Sequence, residues 1–138
     1  MEKNSEKRID KMNEEEITLI RKAFHDDRTL TVTPDEIRRV DSKFYQGGSV
    51  YTTEDEEFID LEIQERDYDI EDHINYIEYA EALYEKHKKK VNVYVYCVPS
   101  IKINIRLYEI PSDADFKIRL VQVRDNSRFQ RIKSKIIG

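Results

Sequence analysis

Asp60, Glu62 and Gln64 occupy alternate positions of the stretch Phe58-Ile59-Asp60-Leu61-Glu62-Ile63-Gln64. On an extended chain alternate side chains share a face, so these three polar groups line one side of a strand and Ile59, Leu61 and Ile63 the other. A half-buried surface strand gives the same alternation. Chemistry enters with Asp41, in the middle of a second extended stretch from Ile37 to Phe44 that sets Ile37, Arg39, Asp41 and Lys43 against Val40 and Phe44. Where neighbouring strands bring Asp41 beside Glu62, the two carboxylates repel unless a divalent cation lies between them. Such a pair is a candidate Mg²⁺ or Mn²⁺ site, because Mg²⁺ takes one or two carboxylates and fills its other positions with water and phosphate oxygens. Water bound there becomes a nucleophile for phosphodiester hydrolysis. Asp60 is an accessory carboxylate on the same face, and Lys43 and Arg66 are the accessory cations closest in sequence.

Positioning these groups requires a frame, and the sequence punctuates one. Residues 1–12 are polar and are expected to be a flexible N-terminus, with a single domain over 13–138. Asn13 reads as the N-cap of a first helix, with Glu14, Glu15 and Glu16 in its first turn and Ile17, Ile20, Ala23 and Phe24 as its apolar stripe. His25-Asp26-Asp27 ends it, the β-branched run Thr29 to Thr33 reads as a strand, and Pro34 stops that strand. Gln46-Gly47-Gly48-Ser49 marks a turn. Ile37 to Gln64 is then a hairpin with a long polar connection. Asp69 caps a helix running to about Lys89, whose wide apolar face combines Ile70, Ile74, Ile77 and Tyr84 with His73, Tyr76, Ala80, Leu83 and His87. The run Lys86 to Lys90 sits at its C-terminal end, where cations complement the helix dipole. Val91 to Val98 has apolar residues on both faces and reads as a central strand. Ile101 to Ile110 follows as a further strand after a tight Pro99-Ser100 connection, and then Phe116 to Val123. Asp125 to Ile136, with Phe129, Ile132 and Ile136 at helical spacing, reads as a basic amphipathic helix.

The expected architecture is therefore α/β: a mixed sheet of α-β-β-β-α-β order flanked by helices, with two extra strands and a C-terminal helix. In that order Asp41, the triplet Glu62-Ile63-Gln64, the helix with Tyr76 and Tyr79-Ala80-x-x-Leu83-Tyr84, and the strand VNVYVYCVP together resemble the PD-(D/E)XK nuclease superfamily. Within it they are similar to the Rpn/YhgA-like transposase/nuclease group, over about Asn13 to Pro99. The resemblance implies a restriction-endonuclease-like fold and a metal-dependent DNA endonuclease. It also implies Asp41 and Glu62 as metal ligands and Gln64 as the residue that positions the attacking water. Gln64 stands where many relatives have lysine, so it offers a hydrogen bond without the positive charge that would stabilise a developing anion. A homodimer is expected by the same analogy, since two cuts need two sites.

Charge and composition set further bounds. The 138 residues carry a formal net charge of −5, which disfavours nonspecific nucleic-acid binding. Nine Lys and Arg against four acids give +5 from Pro99 onward, leaving −10 before it. Such asymmetry separates a cation-binding region from a phosphate-facing one, or it is simply a lopsided solvated surface. Lys102, Arg106, Arg128 and Arg131 are the candidate nucleic-acid contacts, and Tyr94, Tyr96 and Tyr108 either stack bases beside them or lie beneath the helices. The single cysteine, Cys97, rules out an intramolecular disulfide and a cysteine-based metal cluster within one chain. It reads as a small core residue. A cytoplasmic, soluble protein without an export signal or membrane span is expected from the charged start of the chain and the absence of an apolar run of roughly 18 residues. The rival function class is a catalytically silent interaction module on the same fold.

Overall fold

The computed structural model describes residues 10–40, 47–105 and 116–122. Its first helix, α1 (Lys11–Ala23), begins earlier than the acidic run suggests. Asp10 is the N-cap: its Oδ1 accepts from the Asn13 N–H at 2.9 Å, and Asn13 Oδ1 accepts from the Asp10 N–H at 3.2 Å. Asn13 is thus the third residue of a reciprocal capping box, where its side chain satisfies an N–H as effectively as an N-cap would. Leu19, Ile20, Ala23 and Phe24 are buried, and His25 leaves the helix at φ 57°.

Next come β1 (Leu30–Val32) and a single helical turn, α2 (Asp35–Arg38). The extended stretch expected from Ile37 to Phe44 is therefore corrected at its start. Pro34 in an extended conformation, followed by Asp35 and Glu36, is a helix-start signal, and the Ile37 and Arg38 N–H groups both bond to the Pro34 carbonyl at 3.0 Å. Asp41, Lys43 and the rest of 41–46 lie outside the described residues. The strand that pairs with Phe58–Gln64 is instead β2 (Ser49–Thr53), whose Val50, Tyr51, Thr52 and Thr53 suit a pleated surface. A short turn joins it to β3 (Phe58–Gln64). There Glu56 adopts φ 64°, and Thr53 Oγ1 accepts the N–H groups of Asp55 and Glu57 at 3.1 and 3.0 Å.

From β3 the chain crosses through α3 (Ile70–His87) to β4 (Val91–Cys97), and β5 (Phe116–Gln122) completes the described sheet. The strand order is β1-β2-β3-β4-β5, with β1, β2 and β3 antiparallel and β3, β4 and β5 parallel. This is an α/β fold with a five-stranded mixed sheet. The stretch expected to form a strand from Ile101 is not one over 101–105, where only a Tyr68–Ile103 bridge forms. Parallel β4 and β5 need a connection that carries the chain back to the start of the sheet, and a tight Pro99-Ser100 turn into an adjacent strand serves only an antiparallel neighbour.

Two helical layers enclose this sheet. Tyr51 and Tyr94 face α1: the Tyr51 hydroxyl donates to Glu16 Oε1 at 2.6 Å, and the Tyr94 ring stacks on Phe24 with centroids 4.6 Å apart. On the other face, Tyr76 reaches Gln64 and His87 meets the Phe58 ring at 5.5 Å. Every residue of β3 except Ile63 is buried, so its alternation separates two interior layers rather than core from solvent. In α3 the buried row is His73, Tyr76, Tyr79, Ala80 and Leu83, while Ile70 and Ile74, expected on that face, are 55% and 45% exposed. Tyrosines suit those positions because their hydroxyls meet polar groups, Gln64 for Tyr76 and the Arg38 carbonyl for Tyr79, that an isoleucine cannot satisfy. Among the described residues no helix is long and apolar enough to cross a membrane.

Candidate functional site

β3 lies between β2 and β4, which places Asp60, Glu62 and Gln64 in the middle of the molecule, facing α3. Asp60 is fully buried, and Glu62 and Gln64 are each 4% exposed. The donor that meets the two acids is a backbone group: the Gly48 N–H donates to Glu62 Oε2 at 2.8 Å and to Asp60 Oδ1 at 3.3 Å. Only glycine fits there, because a Cβ on residue 48 would lie 2.3 Å from the Leu61 carbonyl oxygen and 2.8 Å from Glu62 Oε1. Gly47 is equally constrained, with φ 81° and a virtual Cβ 2.6 Å from the Tyr79 ring. Arg38 holds the pair of glycines in place: its Nη2 donates to the Gly47 carbonyl at 3.2 Å and the Gly48 carbonyl at 2.8 Å. The Tyr79 hydroxyl in turn donates to the Arg38 carbonyl at 2.6 Å.

Among the described residues, no hydrogen-bond donor meets the buried Asp60 Oδ2. Burial, the neighbouring charge of Glu62 and a hydrogen bond to Glu62 all push the Asp60 carboxyl well above the usual carboxylate range, against a smaller pull from the Gly48 N–H and the Arg38 guanidinium. Two acids in this position relieve their repulsion by holding either a proton or a cation between them. The oxygen donors fit a hard divalent ion such as Mg²⁺ or Mn²⁺ and offer nothing to a metal that prefers sulfur or imidazole. Among the described residues no group of three or more His, Cys, Asp or Glu converges, so this part of the chain supplies two carboxylates. That number is enough for a cation that keeps several waters.

Gln64 is pinned from both ends. The Tyr76 hydroxyl donates a short hydrogen bond to its Oε1, and its Nε2 donates to the Arg66 carbonyl at 3.0 Å, the Asp67 carbonyl at 3.4 Å and Asp72 Oδ2 at 3.3 Å. An amide oxygen has two lone pairs, so Oε1 keeps one accepting position beyond the bond from Tyr76.

The structure brings Asp60, Glu62 and Gln64 together, and of the other described candidates it turns the side chains of Arg66 and Lys102 away from them. The Arg66 side chain is 85% exposed and pairs with Asp72 at 3.7 Å; only its carbonyl touches Gln64. Lys102 is exposed, on the loop after β4, where its N–H donates to Asp67 Oδ1 at 2.9 Å. Arg106, Arg128, Arg131 and Tyr108 lie outside the described residues, as Asp41 and Lys43 do. Tyr94 and Tyr96 are buried under the α1 layer and present no ring to a nucleic-acid base. Cys97 is buried and its thiol is pushed up to about 12 by desolvation, which makes it an inert core residue.

Sequence reasoning missed Arg38 and the active part played by Gly48. The Gly47-Gly48 pair was visible, but as a turn. Its backbone N–H as the donor to two carboxyls depends on the placement of β2, which the sequence pattern misassigned. Compared with protein-family models, with curated proteins and with solved structures, the chain finds no match.

Proposed function

We propose that this chain is a metal-dependent phosphodiester hydrolase acting on DNA, a PD-(D/E)XK-type nuclease on a restriction-endonuclease-like core. The observation that carries the reading is the buried Asp60–Glu62 pair on the strand that feeds the α3 crossover. Buried like charges cost stability, and they persist where function requires them. The order α1, β1, α2, β2, β3, α3 and β4, in which α2 is a single helical turn, supports the same reading.

In this reading Asp60 and Glu62 hold Mg²⁺ or Mn²⁺, joined by Asp41, the ligand that the sequence resemblance implies. When bound, the ion polarises the phosphoryl oxygen and lowers the pKa of a water molecule. Gln64, fixed by Tyr76 and the Arg66 and Asp67 carbonyls, uses the remaining lone pair of Oε1 to orient the attacking water. The positive charge that Gln64 lacks is supplied nearby by Arg38, whose guanidinium already acts on Asp60. Cleavage of plasmid DNA with Mg²⁺ or Mn²⁺ tests the proposal. Glu62→Ala should lose activity on the order of 100-fold or more, as expected when an ion loses a ligand. Absence of metal-dependent cleavage by the wild type, or cleavage untouched by the substitution, overturns it.

One observation favours a different class. The acid pair is almost sealed from solvent, as a core without turnover would be, so a silent interaction module remains the second reading. Calorimetric titration with Mn²⁺ separates the two: the hydrolase binds the ion and Glu62→Ala does not, whereas the module shows no specific binding in either form.

A further inference from the structure

β2 is paired with β3 from Ser49 to Thr52, but β1 covers its other edge only from Tyr51 onward. One more backbone bond follows, from the Thr33 N–H to the Val50 carbonyl at 3.1 Å, and Pro34, which has no N–H to continue the ladder, turns the chain into α2. Among the described residues no strand covers the edge beside Gly48 and Ser49, which borders a cavity of about 130 Å³ whose wall includes Asn13, Thr33, Asp35, Arg38, Gly48 and Ser49. We propose that this cavity is an anion subsite that seats a phosphate group of the substrate strand beside the Asp60–Glu62 pair.

Position is the first argument. Ser49 stands opposite Leu61 in the register and so shares the α1 side of the sheet, whereas the acids face α3; the cavity meets them through Gly48, whose N–H reaches Glu62. Gly48 is a wall common to both places. Chemistry is the second argument. Arg38, whose Nη2 also donates to the Gly47 and Gly48 carbonyls, brings a guanidinium shaped for phosphate oxygens, and Asn13, Thr33 and Ser49 add neutral polar groups beside Val32, Val50, Tyr51 and Asp35. Size is the third. At about 130 Å³ the hollow suits a single phosphate group. It is well short of the roughly 300–1,000 Å³ of sites that enclose a whole small-molecule ligand. Asp35, in the same wall, opposes an anion and so provides a test with the opposite sign.

This subsite rests on the hydrolase reading, and its test keeps the two apart. Binding of inorganic phosphate is measured in EDTA for the wild type, Ser49→Asp, Asp35→Asn and Glu62→Ala, with thermal melts confirming that each is folded. KM and kcat for plasmid cleavage are then measured for the wild type, Ser49→Asp and Asp35→Asn in Mg²⁺. A carboxylate introduced at Ser49 should weaken phosphate binding about 10-fold or more, and removing the Asp35 charge should tighten it several-fold. KM should move in the same directions while kcat holds, and Glu62→Ala should bind phosphate like the wild type. Cleavage with KM indifferent to both charge changes, or phosphate binding that neither change shifts, overturns the subsite and leaves the hydrolase standing. Charge-sensitive phosphate binding without any cleavage by the wild type overturns the hydrolase and keeps the anion site.

Discussion

Asp60 sits at zero exposure two residues from another buried acid, and its protonation sets a specific dependence on pH. Its folded pKa lies above the ordinary 3.8, so the folded state holds this proton more tightly than the unfolded chain does. The associated stability is complete below about pH 3.8 and is lost as pH rises towards the folded value. Asp60→Asn replaces the acid with a neutral side chain of the same shape. In EDTA at pH 7 it should be more stable than the wild type by about 0.5–2 kcal/mol, the usual gain from relieving a site held for function, with the advantage fading at pH 4. Under the proposed hydrolase reading, the same variant should lose cleavage of plasmid DNA. Chemical denaturation at the two pH values, alongside the plasmid assay, reads both effects; a destabilised Asp60→Asn at pH 7 would show that the carboxyl serves packing alone.

Element by element, the sequence was legible where local signals act alone. Asp69 announces the start of α3 and forms a capping box with Asp72, and the helix ends at His87 with a left-handed Lys88. The strands Val91–Cys97 and Phe58–Gln64 were also legible, the first as a β-branched and aromatic run and the second from its strict period-two alternation. Failure came where two signals compete over few residues. Ile37 to Phe44 alternates like a strand, yet Pro34-Asp35-Glu36 starts a helical turn first, and the true partner of β3 is the short Ser49–Thr53. The apolar face of α3 was half legible, since periodicity marked His73, Tyr76, Ala80 and Leu83 but gave no reason to exclude Ile70 and Ile74. Stability should follow the observed face: Leu83→Ala, which opens a cavity against the sheet, should cost about 2–5 kcal/mol. Ile74→Lys should change stability by less than about 0.5 kcal/mol. Equal costs in urea melts would contradict the orientation of α3.

Across the whole molecule, one polar network ties the ends of several elements together. Arg28 grips Asp26 through Nε and Nη2 at 2.9 and 2.8 Å and reaches Glu57 at 2.9 Å, just before β3. Tyr94 of β4 donates to Asp26 at 2.7 Å, and Arg119 of β5 donates to the Phe24 carbonyl at 2.6 Å. The Arg28 hydrogen bonds hold the Asp26 carboxyl down at about 2. Its sign is opposite to that of Asp60: the stability it contributes is present above the ordinary 3.8 and is lost as pH falls towards 2. Asp26→Asn should therefore cost roughly 2 kcal/mol at pH 7, the worth of hydrogen bonds to a charged group, and little at pH 2. Urea melts at those two pH values check it, and a cost that does not shrink in acid would remove Asp26 from the account of acid stability.

By itself the sequence determined the α/β class, the strand carrying Asp60, Glu62 and Gln64, and the helix that crosses from it to β4. Each of these follows from periodicity and capping within a few neighbouring residues. Tertiary structure alone decided that the polar row faces a buried layer rather than solvent, because that depends on α3 packing over it. It also decided that Gly48 and Arg38 complete the site, since a backbone N–H meets two carboxyls only once the register of β2 on β3 is set.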